Sequence, residues 1–137
     1  MLASTLISLS ALVILALGVA HLIYTFRGPK LLPRDSALQS RMNSISPVIS
    51  DETTMWRAWV GFNASHSMGA ILFGLVFGYL ALVHPALLFE SIFLSAVGFA
   101  MLLGLLVLGK RYWFSIPFRG IAVSLACYTV GQLLARL

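Results

Sequence analysis

Four stretches of the chain run for twenty residues or more with almost no charge: Leu2–Phe26, Trp59–Val83, Ala86–Leu108 and Trp113–Ala135. The first three contain no Lys or Arg, and the fourth contains only Arg119. About 20 mostly apolar residues suffice for a helix to cross the hydrocarbon of a bilayer, where every backbone amide must find its partner within its own segment. The pattern therefore predicts an all-α integral membrane bundle of four transmembrane helices, forming one domain over the whole chain. Composition agrees: 60% of residues are hydrophobic and 9% charged, whereas soluble domains carry about 25% charged residues. The same numbers exclude intrinsic disorder, which needs a polar, charge-rich chain.

Gly18-Val19-Ala20 has the small residues of a signal-peptide cleavage site. No positive charge precedes the apolar run, however, so it reads as a retained helix. Arg27, Lys30, Arg34, Arg41 and Arg57 flank the first connection (27–58), and Lys110, Arg111 and Arg119 flank the third. The opposite side has Arg136 and the turn at His84-Pro85. That asymmetry puts both connections in the cytoplasm and both termini outside it. It also accounts for the net charge of +5 without invoking nucleic acid, for which no basic cluster with interleaved aromatics is present. Trp56, Trp59, Tyr112 and Trp113 fall where an aromatic belt belongs.

The first connection has structure of its own. Leu38, Met42 and Ile45 recur at helical spacing between Pro33 and Pro47, with Ile49 four residues on. Asp35 is placed to cap the start, and Gln39, Ser40 and Asn43 form the other face. This predicts a short amphipathic helix lying in the cytoplasmic interface. The helix that carries the second span is expected to begin ahead of the bilayer, near Ser50–Thr53, with Asp51 and Glu52 complementing its dipole. The short third connection, Gly109–Tyr112, makes the last two spans antiparallel neighbours.

In lipid, helices associate through small residues and a few interhelical hydrogen bonds rather than by burying leucines. Ala11 and Gly18, Ala70, Gly74 and Gly78, Ser91, Ser95 and Gly98, and Gly120, Ser124, Cys127 and Gly131 give each span one small-residue face. The Ala70/Gly74/Gly78 stripe also suits a homo-oligomer or another membrane-protein partner.

Ionisable groups at membrane depth are costly and so candidates for function. His21, His66 and Arg119 fall roughly 8–10 Å inside the cytoplasmic boundary at 1.5 Å per residue. Asn63 shares the face of His66, and Tyr24 and Ser67 lie at a similar level. Three readings of this layer stand: a structural hydrogen-bond layer; a cytoplasmic-leaflet pocket at His21, Asn63, His66 and Arg119 for a lipid headgroup or another anionic or carbonyl ligand; and haem b held by His21 and His66. A metal site with protein ligands alone lacks a third histidine at that depth. Glu90, with Gln132, Tyr79 and Ser8 as partners in reach, is expected as a protonated intramembrane carboxyl bonded to Gln132 or as a carboxyl whose head reaches the headgroups. A proton-coupled transporter using it is the sharper alternative, although small four-helix multidrug transporters carry their glutamate in the first helix. Cys127, alone, excludes disulfides and CxxC redox chemistry. Ser65, His66 and Ser67 are consecutive and cannot face one another on a helix. No phosphate-cradling glycine loop is present.

The stretch from Met55 to Gly69 (MWRAWVGFNASHSMG), with Arg111–Gly120 (RYWFSIPFRG) later, resembles a family of small, uncharacterised bacterial integral membrane proteins of about this length, over nearly the whole chain. The resemblance implies a bacterial inner membrane and carries no catalytic roles. No complete catalytic set is assembled by these residues and no cofactor is predicted. The expectation is a non-catalytic accessory, scaffold or lipid-interacting bundle; the alternative is a small membrane enzyme or ligand-binding protein working at the His21, Asn63, His66 and Arg119 layer.

Overall fold

The computed structural model, which describes residues 1–137, is all-helical: α1 (Leu2–Phe26), α2 (Ser36–Ser44), α3 (Met55–Val83), α4 (Pro85–Glu90), α5 (Ile92–Tyr112) and α6 (Ser115–Leu134). Three of these, α1, α3 and α5, are long and apolar enough to cross a membrane, which suggests a membrane protein. The twenty-residue α6 is not among them, and it carries Arg119, Tyr128 and Gln132.

Local chemistry explains each boundary. α1 stops where Gly28 turns the chain with φ +80°, a left-handed conformation that a Cβ disfavours. Asp35 caps α2 as expected, its carboxylate accepting from the Ala37 amide at 2.8 Å. The helix expected to begin near Ser50–Thr53 starts at Met55, because Thr54 supplies the cap: its Oγ1 accepts from the Arg57 amide at 3.3 Å. Asp51 and Glu52 consequently sit in the turn ahead of the helix rather than in its first turn.

The third span is not continuous. Pro85 opens a six-residue α4 at a position where its missing N–H costs nothing. Ser91 then adopts an extended conformation (φ −81°, ψ 105°), and its Oγ accepts from the Leu94 amide at 3.2 Å. A serine cap thus competes with helix continuation and wins. α5 runs on to Tyr112, with Lys110 and Arg111 in its last turn beside the negative end of the dipole. Only the extended Trp113 and Phe114 connect it to α6, not Gly109–Tyr112. Pro117 lies in the first turn of α6, where no intrahelical amide bond is lost.

The chain divides into two compact units, Met1–Leu17 with Ala70–Leu137, and Gly18–Gly69. The core of the larger unit holds Ile7, Ala11, Ile14, Phe73, Phe77, Leu88, Leu102, Leu105, Ile121 and Tyr128. Small residues bring its helices close. A Cβ on Gly74 would come within 2.6 Å of the Leu15 Cβ and 2.8 Å of the Ala11 carbonyl oxygen. Gly74, on the stripe that also suits a second copy or another partner, is thus packed against α1 of the same chain. Gly98 lies against the Tyr128 ring and Phe77, and Gly131 against Ala3 and Ile7.

The outward side of these helices is apolar. Leu72, Leu82, Ile92, Phe93, Val123 and Leu133 all stand exposed. Soluble monomers rarely show apolar patches beyond a few hundred Å², so large side chains pointing out and small ones pointing in are the arrangement that lipid favours. The smaller unit consists of the end of α1, the connecting loop with α2, and the start of α3.

Candidate functional site

Asn63 is the centre of the polar cluster in the smaller unit. Its Nδ2 donates to the Trp59 carbonyl one turn earlier at 2.8 Å, which fixes the amide orientation because a carbonyl only accepts. Oδ1 is therefore the atom facing His21, and His21 Nε2–H donates to it at 3.0 Å. That bond selects the Nε2–H tautomer whenever the ring is neutral.

The His66 ring meets the His21 ring edge to face, centroids 5.4 Å apart and planes at 89°. Ser67 Oγ donates to the Asn63 carbonyl and Thr25 Oγ1 to the His21 carbonyl, both at 2.8 Å. Ser67 is fully buried; His21, Asn63 and His66 are half-buried. The sequence-predicted trio of His21, Asn63 and His66 is thus brought together on α1 and α3. Axial ligation of haem iron needs two imidazoles aimed at one point from either side of a porphyrin. Rings in direct edge-to-face contact, one of them already bonded through Nε2, do not fit that arrangement.

The loop closes over one side of the cluster. Trp59 Nε1 donates to the Leu31 carbonyl at 3.2 Å, and the Lys30 ammonium sits 3.8 Å from the centre of the Tyr24 ring, a favourable cation–π geometry. Between them is a cavity of about 10 Å³, bordered by Tyr24, Thr25, Gly28, Trp56, Trp59 and Asn63 among others. That volume is about what one water molecule needs.

The remaining candidates lie in the larger unit. Arg119 is exposed in the second turn of α6. Glu90 is exposed at the end of α4, ahead of the Ser91 break and so outside the apolar span α5. Its expected partners are committed elsewhere or unpartnered. Tyr79 Oη shares a 3.3 Å hydrogen bond with His84 Nε2, and buried Ser8 Oγ has no hydrogen-bond partner.

Gln132 belongs instead to a closed ring that the sequence reading did not assemble. Ser95 Oγ donates to Gln132 Oε1 at 2.9 Å; Gln132 Nε2 donates to Tyr128 Oη at 3.3 Å; Tyr128 Oη donates to the Ser95 carbonyl at 3.1 Å. A second buried pair links α1 and α6: Ser124 Oγ donates to the Ser10 carbonyl at 3.0 Å and lies 2.7 Å from Ser10 Oγ. With the Ser124 hydrogen spent on that carbonyl, Ser10 is the donor between the two hydroxyls. The four-residue spacing of Ser124, Tyr128 and Gln132 marks one polar stripe on α6, but the spacing does not say which neighbouring helix each of them meets.

No group of three or more His, Cys, Asp and Glu side chains is placed to hold a metal ion. No protein-family model matches the chain, and no curated protein or solved structure matches it.

Proposed function

We propose that this chain is a four-span protein of a bacterial inner membrane, with α6 as the fourth span, both termini outside the cytoplasm and α2 lying in the cytoplasmic interface. Its role is that of a non-catalytic component, an accessory or scaffold that works through contacts with lipid or with a membrane partner. Positive charge in the 27–58 and 110–119 segments supports the orientation.

The observation that carries the functional reading is how the polar side chains at His21 are used. Asn63, His21, Thr25 and Ser67 spend their hydrogen bonds on one another and on helix carbonyls, and the adjoining cavity is the size of a water molecule. Such an arrangement suits holding two helices together better than binding a substrate.

Replacing His66 by alanine tests it. In detergent, His66→Ala is expected to melt at a lower temperature than the parent protein while keeping the same stabilisation by added phospholipid. A ligand pocket at this layer predicts the reverse: an unchanged melting temperature and a lost response to the lipid.

A further inference from the structure

The most unusual surface of the molecule is the loop between Phe26 and Met55. Its helix α2 has nine residues, none of them buried. A helix that short does not hold together in water on propensity alone. Leu38 and Met42 share one side of α2 with Arg41 at its edge, while Ser36, Ser40 and Asn43 occupy the other, and the extended C-cap Ile45 follows. The chain after α2 is ordered by its own backbone. Met55 N–H donates to the Ile45 carbonyl at 2.8 Å, Ser50 N–H to the Pro47 carbonyl at 3.2 Å, and Glu52 N–H to Ser50 Oγ at 3.2 Å. Yet that ordered turn points Val48 and Ile49 outward at 109% and 92% of full exposure. Nothing in the chain covers them.

The geometry points to an anionic phospholipid surface as the partner of this loop, with Val48 and Ile49 inserted among the upper acyl carbons and Arg34 and Arg41 on the headgroup phosphates. The assignment rests on the interfacial reading of α2 above and names its ligand. Both ends of the loop are tethered to helices apolar enough to cross a membrane, so the loop stays within reach of headgroups. Its exposed cations, Arg27, Lys30, Arg34 and Arg41, joined by Arg57 in the first turn of α3, outnumber Asp35, Asp51 and Glu52, and the Asp35 carboxylate already accepts the α2 cap bond. Branched aliphatics presented beside basic side chains are the pattern by which surface segments bind anionic membranes.

The test uses the full-length protein carrying Cys127→Ser and one new cysteine, Val48→Cys or Ile49→Cys, labelled with a polarity-sensitive fluorophore. Nanodiscs are made of phosphatidylcholine alone or mixed with phosphatidylglycerol. Expected is a blue-shifted emission, quenched about twofold or more by lipid spin-labelled near the headgroup, with stronger quenching in the mixed discs. Arg34→Gln with Arg41→Gln should remove only the increment due to phosphatidylglycerol. Equal quenching in the two lipids overturns the anionic preference. Labels as open to aqueous iodide as free dye overturn insertion, and labels shielded from both quenchers assign the turn to a protein partner instead. A label at Leu72→Cys, on the exposed apolar side of α3, separates the two levels. It must be quenched from deep in the acyl chains, and its failure removes the spanning reading itself.

Discussion

Tyr128 is the largest fully buried side chain in the molecule, and its hydroxyl both accepts from Gln132 and donates to the Ser95 carbonyl. Removing that hydroxyl with Tyr128→Phe breaks the ring at two points and leaves the Ser95 carbonyl and Gln132 amide to re-pair. Interhelical hydrogen bonds in membranes average about 0.6 kcal/mol and reach about 1.7. The expected loss is therefore about 1 kcal/mol, read as a lowered unfolding midpoint in detergent. Gly98→Ala should cost more. Its new methyl would overlap the Tyr128 ring and Phe77, and overpacking of a filled core costs about 1–3 kcal/mol. Gly104→Ala, where a Cβ meets nothing within 4 Å, is the matched control and should leave the midpoint unchanged. A midpoint that moves as far for Gly104→Ala as for Gly98→Ala would show that the close approach at Gly98 is not what matters.

At the scale of elements, caps decide more than hydropathy does. The existence of α1, α3 and α5 was legible because long uncharged runs have few alternatives in lipid. The Asp35 cap was legible from residue type and position. The Ser91 break was not: Leu88, Phe89, Ile92 and Phe93 make the segment look continuously apolar, and hydropathy is blind to a hydroxyl that satisfies backbone amides. The start of α3 was missed for the same reason, since Thr54 supplies the cap while the acidic pair before it draws the eye. Within the candidate site, the i,i+3 relation of Asn63 and His66 was readable from helix geometry. The His21 contact followed from placing both histidines near one boundary. The Ser95–Gln132–Tyr128 ring was not readable, because its closure depends on the rotation of α5 against α6. Asp35→Ala should fray α2 with a loss of about 1 kcal/mol, seen as faster hydrogen exchange at the Ala37 and Leu38 amides. Protection at core amides such as Leu102 should stay as it was.

For the molecule as a whole, the proposed topology makes a clear demand. With Cys127→Ser as background, Ser40→Cys should resist an impermeant maleimide in intact cells and react in inverted membrane vesicles. Labelling from outside intact cells would reverse the orientation inferred from the arginines and lysines. A cysteine at Leu137 should show the opposite pattern if α6 crosses, and the same pattern as Ser40→Cys if it does not. That comparison decides the fourth span, for which Arg119 and Gln132 weaken the hydropathy signal.

The serine–glutamine–tyrosine ring has one more consequence. It sits near the start of α5 and the end of α6, far from the two-residue link at Trp113 and Phe114, so this helical hairpin is pinned top and bottom. Sliding one helix along its neighbour by a single turn, about 5.4 Å, would unpair the Ser95, Tyr128 and Gln132 side chains at once. The pair therefore has one vertical setting, fixed at one end by the short link and at the other by the ring.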